Sequence, residues 1–133
     1  QVLEATEDIV THLPLIEYVG NVMLRDQYMG RFVFVNVFYS WQPHVLFYSK
    51  FGGVDLCVDA TNTGNEARFV RRSCTPNAEI QHSLQGNNLR FFIHASKSII
   101  AGAEITIAFD FNYHKCGFAV ECACTRSSCP VLK

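Results

Sequence analysis

Apolar and polar positions alternate along much of this chain and seldom recur at helical spacing, which predicts a mostly β protein with few, short helices. Val2 to Ala5 reads as a short strand. Leu15-Ile16-Glu17-Tyr18-Val19 has high β-propensity and ends at Gly20, beyond which Val22 to Leu24 continues it. Arg25 to Gly30 fits either one helical turn or a loop. From Phe32 to Tyr48 the chain is aromatic and β-branched, broken by Ser40-Trp41-Gln42-Pro43, so two strands joined by a turn fit best. Lys50-Phe51-Gly52-Gly53 is a turn, and Val54 to Val58 alternates. Gly64-Asn65-Glu66-Ala67 predicts a turn that runs into one helical turn. Ala78 to His82, continuing to Ser83, and Leu89 to Ala95 are strands about a hairpin turn at Gln85-Gly86-Asn87-Asn88. Ser98 to Gly102 is a loop, and Glu104 to Phe109 alternates strongly.

Between the turn at Gly64 and the strand at Ala78 lies Arg71-Arg72-Ser73-Cys74-Thr75-Pro76-Asn77. Pro76 fixes its own φ and pushes Thr75 towards an extended conformation. A charged, cysteine-bearing loop made rigid by proline between two ordered elements is where a site is expected.

With 133 residues, 49% of them hydrophobic, the chain is sized for one domain with a modest core. A net charge of −1 gives no general pull towards nucleic acid or an anionic membrane. No apolar run approaches membrane-spanning length. The abrupt start suggests an excised domain. Six cysteines need a reason, and three fall in Cys122-Ala123-Cys124-Thr125-Arg126-Ser127-Ser128-Cys129. That clustering, in a chain longer and more apolar than disulfide scaffolds usually are, favours thiolate ligation of metal over disulfides.

Several motifs together resemble the SET domain of protein-lysine methyltransferases. They are Ile16-Glu17-Tyr18-Val19-Gly20, Cys57-Val58-Asp59-Ala60-Thr61, Gly64-Asn65-Glu66-Ala67-Arg68-Phe69, Ser73-Cys74-Thr75-Pro76-Asn77, Glu104-Ile105-Thr106-Ile107 and the closing Cys-x-Cys-x4-Cys, in the family's order. The resemblance implies several small sheets with a threaded, pseudoknot-like C-terminal segment, an exception to the usual rules of chain connection. It divides the chain into a SET domain at 1–113, with a variable insert at about 24–60, and a post-SET zinc-binding tail at 114–133. The insert corresponds to one wall of a histone-peptide groove, where the peptide adds as a strand. Its aromatics are more often core than groove. Tyr18 keeps a family tyrosine near the cofactor and lysine channel. It also suits an ordinary half-buried strand position.

Against this pattern the chain departs at the residues that carry methyl transfer. Aligned on Leu3 and Ala5, Val2 holds the position of a family glycine that lets backbone approach S-adenosylmethionine, unless the register is one residue out at a frayed end. Arg71-Arg72 stands for the family's Asn-His. Arg72 is tolerable there, because the histidine acts mainly through its backbone. Arg71 exchanges a neutral donor and acceptor for a cation with donors only. If it points inwards at the donor's sulfonium, two like charges at about 4 Å cost on the order of 4 kcal/mol at an intermediate dielectric. That is roughly three orders of magnitude in affinity. The family's catalytic tyrosine falls on Phe109, which has the ring and no hydroxyl; Tyr113, four residues on, is a poor substitute by register.

No catalytic residue is therefore expected, and S-adenosylmethionine is not expected as a cofactor. Zinc is, held by Cys122, Cys124 and Cys129 with Cys74, which the resemblance supplies as the fourth ligand. Cys116 and His114 are rival ligands. Cys57 reads as a buried small hydrophobe. Arg68 is the residue expected to form an internal ion pair with an acid. The chain most resembles the divergent subgroup of the fly protein UpSET and its mammalian and yeast relatives, through Arg-Arg-Ser-Cys-x-Pro-Asn and Ile-Ala-Phe-Asp. That implies a nuclear, monomeric module of a chromatin regulator associated with histone deacetylase complexes, binding complex subunits or a histone tail. The competing reading is a weak or specialised histone-lysine methyltransferase. Restoring Asn at Arg71, His at Arg72 and Tyr at Phe109 is the discriminating reversion. A narrower third reading makes Arg71 and Arg72 an anion site.

Overall fold

The computed structural model describes residues 1–30, 43–115 and 119–132. Among these residues, eight strands form three small sheets, joined by one short α-helix and a 3₁₀ turn. The chain is mostly β with very little helix, as the alternation predicts.

The central sheet has the order β1-β7-β6, from β1 (Pro14–Glu17), β6 (Ala78–Gln85) and β7 (Asn88–Ala95). β6 and β7 pair antiparallel from Ala78↔Ala95 to Gln85↔Asn88, leaving Gly86 and Asn87 as the turn. Gly86 takes φ +63°, a conformation open to glycine at no steric cost. Phe91 and Ile93 point from β7 into the main core, where they meet Leu46, Val58 and Tyr18. Each such side chain removed from water contributes about 1.5–3 kcal/mol.

A second sheet has the order β2-β4-β3, from β2 (Asn21–Leu24), β3 (Val45–Phe51) and β4 (Val54–Asp59). Val22 to Leu24 therefore does not continue the strand before it. β1 pairs with β7, whereas β2 pairs with β4 from Asn21↔Asp59 to Leu24↔Leu56. The switch of sheet occurs at Gly20, where a Cβ would lie 2.7 Å from the Asp59 carbonyl oxygen, so only glycine allows the approach. Arg25 to Gly30 resolves as the helix α1 (Arg25–Gly30). Its Tyr28 packs with Val45, Phe47 and Cys57 in a smaller core behind this sheet. The strand and turn expected between Phe32 and Gln42 lie outside the described residues.

The third sheet is a parallel pair of two-residue strands, β5 (Arg71–Arg72) with β8 (Thr106–Ile107). The alternation from Glu104 to Phe109 predicts a longer strand. Pairing stops after Ile107 because β5 offers only Arg71 and Arg72 before the chain turns at Ser73, whose own N–H still reaches the Ile107 carbonyl at 2.8 Å. Likewise Val2 to Ala5 is not a strand, and pairs only through the bridge Glu4↔Glu104 and nearby backbone bonds.

The loop after β5 is fixed from both ends. The Thr75 N–H donates to Ser73 Oγ at 3.0 Å, a local turn that suits the extended residue before Pro76. Asn77 Nδ2 donates to the Glu104 carbonyl at 2.9 Å, and its Oδ1 accepts the Thr106 N–H at 2.9 Å. One side chain thus clasps the segment carrying β8 and holds it beside Arg71 and Arg72.

Candidate functional site

β5 projects its two arginines to different fates. Arg71 turns to Glu104, with Nε and Nη2 on the two carboxylate oxygens at 2.6 and 2.7 Å. This forked bond holds the guanidinium firmly protonated, above its ordinary range. The like-charge penalty beside a sulfonium applies to a bare cation. Here the Arg71 charge is met by a carboxylate, and the like-charge penalty shrinks accordingly.

Arg72 is buried, its side chain only 1% exposed. Its Nη2 donates to Asp110 Oδ2 at 2.8 Å and to the Val45 carbonyl at 3.0 Å. Nη1 reaches the Pro43 carbonyl at 3.0 Å, and Nε reaches Asp110 Oδ1 at 3.2 Å. Asp110 also accepts the Phe47 N–H at 2.9 Å. A buried charge is tolerated when it is paired and its remaining groups are bonded, and this network meets both conditions. Both arginines are thus paired with carboxylates.

Cavities lie on either side. One of about 380 Å³ is lined by Pro43, His44, Arg68, Phe69, Arg71 and Arg72. It adjoins another of about 390 Å³ that includes Val2 and Glu66 and shares Gln1 and Phe69 with the first. Val2 therefore sits at the edge of this cleft, 40% exposed. A third cavity, about 210 Å³, lies between β3, the edge of β6 and the segment after β8; Tyr48, Leu56, Glu79, Phe109 and Asp110 line it.

Arg68 does not form the ion pair expected of it. Among the described residues the strong pairs are Arg71–Glu104, Arg72–Asp110 and Arg90–Glu17. The Arg68 guanidinium instead lies over the Phe69 ring at 5.1 Å, with its Nε buried and unbonded. The reason is positional: the acids that face β5 come from the far segment 104–110 and reach the two arginines after it.

Tyr18 is 2% exposed, and its hydroxyl is buried without a partner. Burial pushes its ionisation up to about 12, and it feels the charges of Arg72 and Asp110. Phe109 lines the smaller cavity, and its ring packs against Phe111 at 5.7 Å and Tyr113 at 4.9 Å.

At the other end of the loop, Cys74, Cys122, Cys124 and Cys129 gather, with all four sulfurs within 4.8 Å of one another. Sulfurs around tetrahedral zinc, bound at about 2.3 Å each, stand about 3.8 Å apart. The Cys74 and Cys129 sulfurs are 3.8 Å apart. The surroundings also suit thiolates. The Cys74 N–H points at Cys122 Sγ at 3.2 Å, and Arg126 Nη2 at Cys74 Sγ at 3.3 Å. The Arg126 N–H brings Cys124 down to about 6. Burial pushes Cys129 up to about 11, so a bound metal must displace that proton. This cluster has the donors and spacing to hold a metal ion such as zinc. His114 is exposed and lies outside the cluster, stacked near Tyr113. Cys116 is not among the described residues. Cys57 is fully buried in the smaller core, as expected of a small hydrophobe.

Two functional groups escape the sequence reading. Asp110 is legible as a charged motif residue, but nothing local marks it as the partner of Arg72. Asn77 is legible as the end of a rigid loop and not as a clasp.

The SET domain family model matches residues 2–110. The chain is 48% identical over 135 residues to "Inactive histone-lysine N-methyltransferase 2E" of Homo sapiens, a match covering all of this chain and 7% of that protein. It is 33% identical over 128 residues to "Histone-lysine N-methyltransferase, H3 lysine-36 specific" of Debaryomyces hansenii, covering 96% of this chain and 17% of that one. The chain thus spans only a small part of the curated relatives it matches. Among solved structures it superposes on KRYPTONITE, crystallised in complex with mCHG DNA and SAH, with a TM-score of 0.70 over 96% of this chain and 25% of that chain. At 22% identity that likeness concerns the fold alone. Sequence motifs, small sheets and family match agree: this chain belongs to the SET domain family.

Proposed function

We propose that this SET domain is a structural and protein-interaction module of a nuclear chromatin regulator that does not itself transfer methyl groups. The observation that carries the reading is Phe109. It stands where the resemblance puts the catalytic tyrosine, and a ring packed among aromatics has no hydroxyl to orient an amine. Arg71, a cation with donors only in place of the family's asparagine, points the same way. A histone-modifying complex, deacetylase-associated as in the UpSET subgroup, is the setting proposed for it. Its partners there are complex subunits or a histone tail. In this reading the domain is a monomer, 1–113 is the SET domain and 114–133 its zinc-binding tail. Zinc bound by Cys74, Cys122, Cys124 and Cys129 supplies a structural staple and no chemistry. Among the described residues no helix is long and apolar enough to cross a membrane.

A second reading, a weak methyltransferase, has two observations in its favour. The cleft beside Phe69 is open in spite of Val2, and Glu104 offsets the charge of Arg71. Calorimetric titration of the zinc-loaded chain with S-adenosylmethionine, followed by a methylation assay on histone H3, separates the two. No heat at near-millimolar donor and no methyl transfer are expected. Micromolar binding with transfer would reject the module reading.

A further inference from the structure

The arginine-lined cavity and the Phe109 cavity share no lining residue, yet their walls are joined by one network. Pro43 and Arg72 line the first; Phe47 and Asp110 line the second. Arg72 bonds the Pro43 carbonyl on one side and Asp110 on the other, and Asp110 accepts the Phe47 N–H. The partition between the two spaces is thus a buried ion pair, with the Arg72 side chain 1% and Asp110 10% exposed.

We propose that the Arg72–Asp110 pair is a bolt that closes the passage between the two cavities, so that a chain lying in the Phe109 groove cannot deliver a side chain to a ligand in the Phe69 cleft. The inference deepens the non-catalytic reading and rests on it. It adds a physical barrier to the missing hydroxyl. Tyr18, buried in the main core, lies within electrostatic reach of both charges of the pair. A bolt made of charges that satisfy one another is also hard to push aside. Displacing either group strands the other in a buried site.

The probe is n-butylammonium, which carries the amine and stem of a lysine side chain. Crystals of the zinc-loaded chain and of the double variant Arg72→Ala/Asp110→Ala are soaked in it. The variant removes both charges together, so neither is orphaned. In the unaltered chain the amine is expected no deeper than Asp110, and in the double variant density runs through from Phe109 to Phe69. In solution the amine is expected to shift the ring resonances of both phenylalanines in the variant, and those of Phe109 at most in the unaltered chain. Continuous density in the unaltered chain overturns the proposal, whether or not the variant folds. So does a folded double variant whose cavities stay separate. A variant Arg72→Met/Asp110→Leu, which refills the space without charge, is expected to stay closed. Methyl transfer by the unaltered chain would reject the non-catalytic reading. Continuous density without transfer would reject the bolt alone.

Discussion

Tyr18 illustrates how a side chain's two ends can meet different surroundings. Its ring belongs to the main core, while its hydroxyl is buried without a partner. An unbonded buried hydroxyl costs about 1–3 kcal/mol. Tyr18→Phe is therefore predicted to stabilise the fold by about 1 kcal/mol, read as a higher denaturant midpoint at unchanged slope; a clear loss of stability would mean the hydroxyl has a partner. The same variant tests the ionisation. The folded value, about 12, lies above the ordinary tyrosine value of 10.0, so this tyrosine's contribution is intact below pH 10 and is lost as pH rises through the folded value. Tyr18→Phe should remove that alkaline loss. Residue identities of this kind were legible in the sequence; residue surroundings were not. Arg71 could be read as a cation, but the carboxylate that answers it is 33 positions away and is brought near only by the pairing of β5 with β8. Thr125 makes the point in reverse. Nothing marks a β-branched residue for φ +55°, and it takes that conformation within the loop that carries Cys124 and Cys129 towards Cys74.

At the scale of elements, what was local was legible. The β6–β7 hairpin follows from alternation and a Gly-Asn turn, and it forms almost as the sequence predicts. The partner of β2 and the length of β8 were not legible, because each depends on an element distant in sequence. β8 is held less by its two-residue ladder than by Asn77, which serves the Glu104 carbonyl and the Thr106 N–H together. Asn77→Ala leaves both without that partner, and at about 1–3 kcal/mol for each unsatisfied group it should cost about 2–4 kcal/mol in urea unfolding. Asn77→Asp, which still accepts from Thr106 and cannot donate to Glu104, should fall between. Equal stability of all three proteins would show that the ladder alone suffices.

For the whole molecule, the ordered series of motifs identified the family, while no pattern of strands foretold that the tail returns to the central loop. That return brings Cys122, Cys124 and Cys129 to Cys74, and the Ala123 N–H to the Arg72 carbonyl at 3.0 Å. Zinc, on the proposed assignment, holds this closure. Removal of metal by a chelator is predicted to raise amide exchange across 119–132 while the β6–β7 hairpin stays protected; unchanged exchange in the tail would reject a structural metal there. The Arg72–Asp110 pair bears on the history of the molecule as well. Reverting Arg72 to histidine strands the Asp110 carboxylate in a buried site, and a buried pair broken on one side costs about 3–5 kcal/mol. An ancestor could drift into this arrangement through steps that were each tolerable. On the proposed reading, a descendant that retraced them one at a time would meet an unstable intermediate, so such a loss of methyl transfer would act as a ratchet.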